Sequence, residues 1–252
     1  MRYLPLFLLF FCLPVLSVGQ TAKTDSVCRV TAEEHFRPKQ LILPGVLLAV
    51  GALGVENGWL GSVDRKVNEG ISDLSGGHHI GLDDYLRFAP LVGSVVLSQA
   101  GVSTPYSLEE RLAVRATSFM AYFALVGGLK QVVHETRPDG SDRKSFPSGH
   151  TTVAFMGAEH IRTEYGGWYG VGAYTVACGV AFLRLYNQKH WLNDVVAGAG
   201  TGILCARLGY WLLPYERKLF KLKTKNDGSS FVALPTFDAS RNAVGCAMAY
   251  QF

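Results

Sequence analysis

The sequence predicts an all-α protein: a six-helix bundle, membrane-embedded or membrane-associated, followed by a short β-like tail. Three observations predict it. Of 252 residues, 48% are hydrophobic and only 17% charged, which excludes a disordered chain, a collagen-like chain and a small disulfide scaffold. The mean hydropathy of +0.17 is high for a soluble enzyme and low for a chain lying wholly in lipid. The apolar residues gather in six stretches of helical length, 41–59, 85–103, 112–133, 149–163, 168–186 and 191–213, separated by short polar breaks. A formal charge of +4 is too mild for a phosphate-backbone face, so no nucleic-acid partner is expected.

Each segment has its own reading. Arg2 precedes an uncharged run from Tyr3 to Val18, and Ser17-Val18-Gly19 offers small residues where a signal peptidase reads. Residues 1–19 are therefore expected to be an export signal, with an uncleaved anchor as the alternative, and 20–40 an N-terminal segment. An oxidising compartment suggests a Cys28 to Cys246 disulfide, against the plain reading of unrelated small hydrophobes. The helical domain spans 41–214. Arg87, Arg115, Glu159, Arg162 and Arg207 fall within or at the ends of its apolar runs, so either they face a polar interior or some helices do not cross. Gly198 and Gly202, and Gly127 with Gly128, suit close helix approach. Residues 215–252 form a basic linker and strand-like tail. Arg217, Lys218, Lys221, Lys223 and Lys225 suit anionic headgroups or a cytoplasmic flank. Val244, Cys246, Met248, Tyr250 and Phe252 alternate with small or polar residues, and with Phe231 to Phe237 predict a hairpin.

Three clusters carry chemistry. Lys130 and Arg137 are seven residues apart, so they share a face if their helix continues to Arg137, with Pro138 as its stop. Pro147-Ser148-Gly149-His150 opens an apolar helix; Ser148 can cap it while the free amides bind an anion, and Gly149 lets that anion approach. Arg184 precedes His190 and Asp194, and the four-residue gap sets Asp194 one turn past His190, where a carboxylate fixes the imidazole tautomer. Two helical traverses separate Ser148 from His190, which brings the three clusters to one end of the bundle. The result is a site for a phosphoryl group. No spacing joins His78, His79, His134 or His160 to a metal-ligand set, so these read as surface or loop histidines and no metal or cofactor is expected. Gly198-Ala199-Gly200-Thr201-Gly202 lacks the lysine of a nucleotide loop and reads as helix packing.

In that order, K-x6-R-P, P-S-G-H and R-x5-H-x3-D resemble the type-2 phosphatidic acid phosphatase family, which shares its site with bacterial class A acid phosphatases and vanadate haloperoxidases. The resemblance covers about residues 85–213. It implies that His190 is the nucleophile, Asp194 its orienting partner and His150 the acid on the leaving oxygen. It also implies that Lys130, Arg137, Ser148, Gly149 and Arg184 hold the phosphate oxygens without metal. The expected function is removal of a phosphate from an envelope lipid through a phosphohistidine. Lipid A comes first, on a similarity to lipid A phosphatases of the Bacteroides group, then undecaprenyl diphosphate or phosphatidylglycerophosphate. A soluble periplasmic acid phosphatase and a non-catalytic phospholipid-binding or transport protein are the alternatives. The implied location is the bacterial cell envelope, with the site facing the periplasm. The basic tail supports that side, while six full crossings from an exported start would oppose it.

Overall fold

The computed structural model describes residues 36–55, 58–224, 230–238 and 243–251. The export signal, the Cys28 to Cys246 pairing and Lys225 lie outside the described residues. A 3-10 turn, Pro38–Leu41, leads into α1 (Ile42–Gly54), α2 (Gly58–Ser75), α3 (Asp83–Leu86), α4 (Ala89–Gln99), α5 (Leu108–Val133), α6 (Gly149–Tyr165), α7 (Gly167–Tyr186) and α8 (Leu192–Phe220). The tail forms an antiparallel hairpin of β1 (Ser230–Asp238) and β2 (Ala243–Gln251), with Phe231 opposite Tyr250 and Phe237 opposite Val244.

Helix α6 is the central element, packed against α7 and α8, while α8 also carries α1 and α5. Its interior surface is mostly small, so the backbones meet. A methyl group on Gly198 would stand 2.7 Å from the Ser148 carbonyl oxygen, and one on Gly202 would stand 2.9 Å from the Met156 nitrogen. Gly127 and Gly128 have open space around them, so the close packing expected there does not occur. Phe155, Tyr174, Ala177, Val195 and Ile203 fill the main core.

The charges inside apolar runs face inward. Glu159 receives Arg162 Nε and Arg207 Nε, each at 2.8 Å, and the Tyr174 hydroxyl at 2.5 Å. Glu164 receives Arg111 Nε at 2.9 Å, Arg115 Nη2 at 3.0 Å and the Tyr210 hydroxyl at 3.1 Å. A buried carboxylate is tolerable when its lone pairs are taken up in this way. Arg115, Glu159, Arg162 and Arg207 therefore build the bundle's interior at the end of α6 remote from Ser148, while Arg87 lies at the Ser148 end beside His150.

The described residues form eight α-helices where the sequence suggested six. Helix α2 escaped the hydropathy pattern because, among its described side chains, only Asp64, Val67, Ile71 and Ser75 are fully buried, while Arg65, Lys66 and Glu69 are exposed. That stripe is too narrow and polar to read as an apolar run. The stretch 85–103 breaks at Arg87-Phe88, since Pro90 has no N–H with which to continue the α3 ladder and is tolerated only in the first turn of α4. Helix α8 runs through Pro214, the expected boundary, to Phe220. Its last turns are held by Arg217 on Glu110 at 2.7 Å and by Glu216 on Thr117, which offsets the one backbone hydrogen bond that proline removes.

Two helices, α5 and α8, are long and apolar enough to cross a membrane by length and composition. At 1.5 Å per residue, α8 is about 43 Å long, more than the hydrocarbon core of a bilayer, about 30 Å. Helix α5 exposes Leu112, Met120, Phe123 and Val132, whereas α8 is largely enclosed by the bundle.

Candidate active site

The three clusters meet where α6 and α8 begin and α5 and α7 end. Ser148 caps α6, with its hydroxyl accepting from the Thr151 N–H. Its own N–H donates to the Asp194 carbonyl at 3.0 Å, which ties the first turn of α6 to the first turn of α8. Gly149 sits beneath Tyr122, whose hydroxyl would lie 3.1 Å from any Cβ. The free amides at this helix start form an anion-binding end.

Arg137 reaches the same place by a route different from the expected one. Helix α5 ends at Val133, His134 adopts the left-handed conformation at φ 48, and Arg137 lies in the following loop. Pro138 disfavours a helical backbone at Arg137, so Lys130 and Arg137 do not share a helix face. The loop places them together instead. The Arg137 guanidinium donates to Asp142 Oδ1 at 2.9 Å and the Lys189 carbonyl at 2.9 Å, and its Nη1 stands 3.3 Å from His190 Nε2. Lys130 Nζ donates to the Lys144 carbonyl at 2.6 Å.

His190 likewise precedes α8 rather than opening it, since the helix starts at Leu192. A turn with Gln188 at φ 55 delivers it. Asp194, in the first turn of α8, folds back so that Oδ2 accepts from the Trp191 N–H at 2.8 Å and from Ser145 Oγ at 2.5 Å, and lies 3.2 Å from His190 Nδ1. His190 is almost fully buried. Burial first, then the positive charges of Arg184, Arg137 and Lys130, hold its pKa well below the usual imidazole value. The ring is therefore neutral at pH 7. With Nδ1–H directed to Asp194, the lone pair lies on Nε2, beside Arg137.

Arg184, at the end of α7, donates through Nη1 to Asp83 Oδ2 at 2.5 Å. Asn187 braces the same carboxylate at 3.0 Å. His150 is paired with Asp84 Oδ1 at 2.8 Å, and Arg87 Nη1 lies 3.0 Å from the same Nε2. Nε2 cannot both donate to Asp84 and accept from Arg87, and with an acidic partner at the shorter distance we assign Nε2–H to Asp84. Burial and the Arg184 charge lower the His150 pKa to about 4, against the opposing pull of Asp84. Asp83, Asp84 and His150 offer three ligand atoms within 4.8 Å of one another, but Arg184 and Arg87 occupy the same neighbourhood with positive charge, which makes it a poor cradle for a cation.

The structure thus brings together Lys130, Arg137, Ser148, Gly149, His150, Arg184, His190 and Asp194. His78, His79 and His134 are exposed or in loops, and His160 is fully buried within α6 beside Tyr210, not the surface or loop residue expected of it. Sequence reasoning missed Asp83, Asp84, Arg87, Glu135, Ser145 and Asn193. Ser145, two residues before Pro147, was near enough to a motif to be noticed. Glu135 and Asn193 fall at unspecified positions inside the motifs, and Asp83, Asp84 and Arg87 carry no spacing that ties them to either histidine.

The chain is similar to several known proteins over part of its length. Over 158 residues, 60% of its length, the chain is 34% identical to a lipid A 1-phosphatase of Porphyromonas gingivalis. It spans about a third of that relative, 35% of its length. A crystal structure of Aquifex aeolicus LpxE aligns over 71% of this chain and 98% of its own, at 20% identity and a TM-score of 0.40. Residues 112–218, from α5 through most of α8, match the PAP2 superfamily. That segment, over which the chain is similar to the PAP2 superfamily, contains Lys130, Arg137, Arg184, His150 and His190.

Proposed function

We propose that this protein is a metal-independent phosphatase that removes a phosphate from an envelope lipid through a phosphohistidine on His190. The observation that carries the proposal is a buried, neutral imidazole whose Nδ1 is held by Asp194 and whose Nε2 stands among Arg137, Lys130 and Arg184. Binding a phosphate needs only the cations; a nucleophile poised among them is the further feature that hydrolysis requires.

In the first step the Nε2 lone pair forms a bond to phosphorus as the bond to the lipid oxygen breaks, and that oxygen takes a proton from His150. Lys130, Arg137, Arg184, the Ser148 hydroxyl and the Gly149 amide stabilise the equatorial oxygens, the part of phosphoryl transfer that proteins chiefly supply. A free His150 is neutral at pH 7. An arriving phosphate dianion raises its proton affinity, so substrate charges the acid it needs. In the second step His150 takes a proton from water, which attacks phosphorus and releases His190 and orthophosphate.

The relative's substrate favours lipid A, ahead of undecaprenyl diphosphate and phosphatidylglycerophosphate. Two long apolar helices and exposed apolar side chains along α5 support a membrane setting. The end of α8 farthest from His190 carries Arg217 and the exposed Lys218 and Lys221, which favours a cytoplasmic position for that end and a periplasmic site. The test is phosphate release from lipid A micelles by the full chain in chelator, with mass spectrometry of the product. Activity should persist in chelator and fall at least about 10⁴-fold in His190→Ala. An unchanged rate in that variant would refute the phosphohistidine, and an unchanged lipid A phosphate count would refute the substrate.

A further inference from the structure

Behind Asp194, on the side away from His190, lies a second set of carboxyl groups that the proposed mechanism does not use. Glu135 sits in the loop between α5 and Arg137. Its carbonyl accepts from the Ser145 N–H at 3.0 Å, and Ser145 Oγ in turn donates to Asp194 Oδ2. Its carboxyl accepts from Asn193 Nδ2 at 2.9 Å through Oε1 and lies beside Asp194. The Asn193 side-chain oxygen accepts the Asp194 N–H at 2.8 Å, and the Asn193 N–H donates to Asp64 Oδ1 of α2 at 3.1 Å. Gly54 of α1 closes over this hub, since a methyl group there would stand 2.5 Å from Asn193 Cβ.

Asp194 Oδ2 faces Ser145, Trp191 and His190. Oδ1 is buried and receives no hydrogen bond from an amide, hydroxyl or amine among the described residues. A buried carboxylate oxygen left in that state is costly. The acid group beside Asp194 is the Glu135 carboxyl, held there through Asn193, and two carboxylates repel. Only a proton carried by one of them joins the pair.

We propose that Glu135 is a positioning residue for the nucleophile, sharing one proton with Asp194 and, through Asn193 and Asp64, fixing the turn that presents Asp194 to His190. The inference rests on the phosphohistidine reading and deepens it. While His190 is neutral, the shared proton spreads a single negative charge over two carboxyl groups. When Nε2 bonds to phosphorus, the imidazole becomes cationic; its Nδ1–H stays on the ring, the shared proton settles on Glu135, and Asp194 bears the full charge. No proton enters or leaves the pair. The charged groups facing this cluster are Lys130 toward Asp194 and Arg65 toward Asp64, with Arg137 beyond His190. Burial pushes the Asp64 carboxyl up to about 7; the Asn193 N–H opposes this, and Glu135 and Asp194 add to it.

The test compares the full-length wild type with Glu135→Gln and Glu135→Ala in detergent micelles. It reads kcat and KM on lipid A across pH and, separately, the protonation midpoint of His190 from its imidazole ¹⁵N shifts without substrate. Glutamine keeps a donor for Asp194 and an acceptor for Asn193 but has no proton to share. Glu135→Ala should lower kcat about 10-fold or more with KM within twofold, and Glu135→Gln should recover most of that loss. In Glu135→Gln the charge is localised on Asp194, so the His190 midpoint should rise by about one pH unit. Full activity in Glu135→Ala, or equal losses in both variants, would overturn the proposal. If the wild type is inactive on lipid A, the functional reading fails, while a His190 midpoint unmoved by Glu135→Gln would overturn the proton sharing on its own.

Discussion

Gly198→Ala tests whether helix packing sets the phosphate site. The alanine Cβ would stand 2.7 Å from the Ser148 carbonyl oxygen and 3.2 Å from Thr151 Cβ. An ordinary carbon to oxygen contact is about 3.3 Å, so α6 and α8 must part by about 0.6 Å. Ser148 cannot yield by changing rotamer, because the clashing atom is its backbone. Replacing glycine in a helix interior stabilises by up to about 1 kcal/mol, and overpacking costs about 1–3 kcal/mol. The net stability change is therefore about 0–2 kcal/mol against the variant, which should still fold. The rate should suffer more. Ser148 and Gly149 present the anion-binding amides, and misplacing a reacting group by 1 Å costs about 10²-fold. A displacement of about 0.6 Å then lowers kcat about 10-fold. The assay is phosphate release from lipid A micelles, with a thermal melt by circular dichroism in the same detergent. Gly127→Ala is the control: its Cβ meets nothing within 4 Å, so it should keep full activity and melt no lower than the parent. A Gly198→Ala variant with wild-type kcat and a raised melting temperature would refute the argument.

Two more expectations concern stability. Glu159→Gln removes the charge that neutralises Arg162 and Arg207 and should destabilise by about 3–5 kcal/mol, read as a collapse of the thermal midpoint; a shift of only a degree or two would show that solvent reaches the network. His190 has a depressed folded pKa, so below its unfolded value of about 6.5 the unfolded chain binds the proton that the folded protein refuses. Its contribution is thus complete above pH 6.5 and is lost as pH falls, with a slope approaching about 1.4 kcal/mol per pH unit. Melts of wild type and His190→Asn from pH 7 to 5 should diverge in that direction, and parallel curves would contradict the assigned neutral ring.

Several parts of this protein were legible from residue order. Ser148 before Gly149 and a run of small residues announces a capped helix start, and Gly198 with Gly202 announces the surface on which that helix packs. The hairpin followed from alternation at Val244, Cys246, Met248 and Tyr250. Helix α2 was hidden because its buried stripe includes Asp64 and Ser75, and periodic hydrophobicity registers only apolar burial. The Arg137 placement was misjudged for a related reason: a seven-residue spacing suits a helix, but Pro138 acts backwards on the residue before it, and a loop delivers the cation equally well.

The sequence by itself determined which side chains are available for phosphoryl chemistry and their order along helix-length segments, because capping, periodicity and motif spacing are local properties. Tertiary structure alone decided what surrounds them. Asp83 is 101 residues from Arg184, Asp84 is 66 from His150, and Asp64 is 129 from Asn193. Such pairings depend on how α2 and α3 dock on the bundle, and no local rule encodes them. The protonation states of His190 and of the carboxyl cluster behind it follow from burial and from charges gathered out of five segments of chain. Electrostatic environment is a property of the assembled volume.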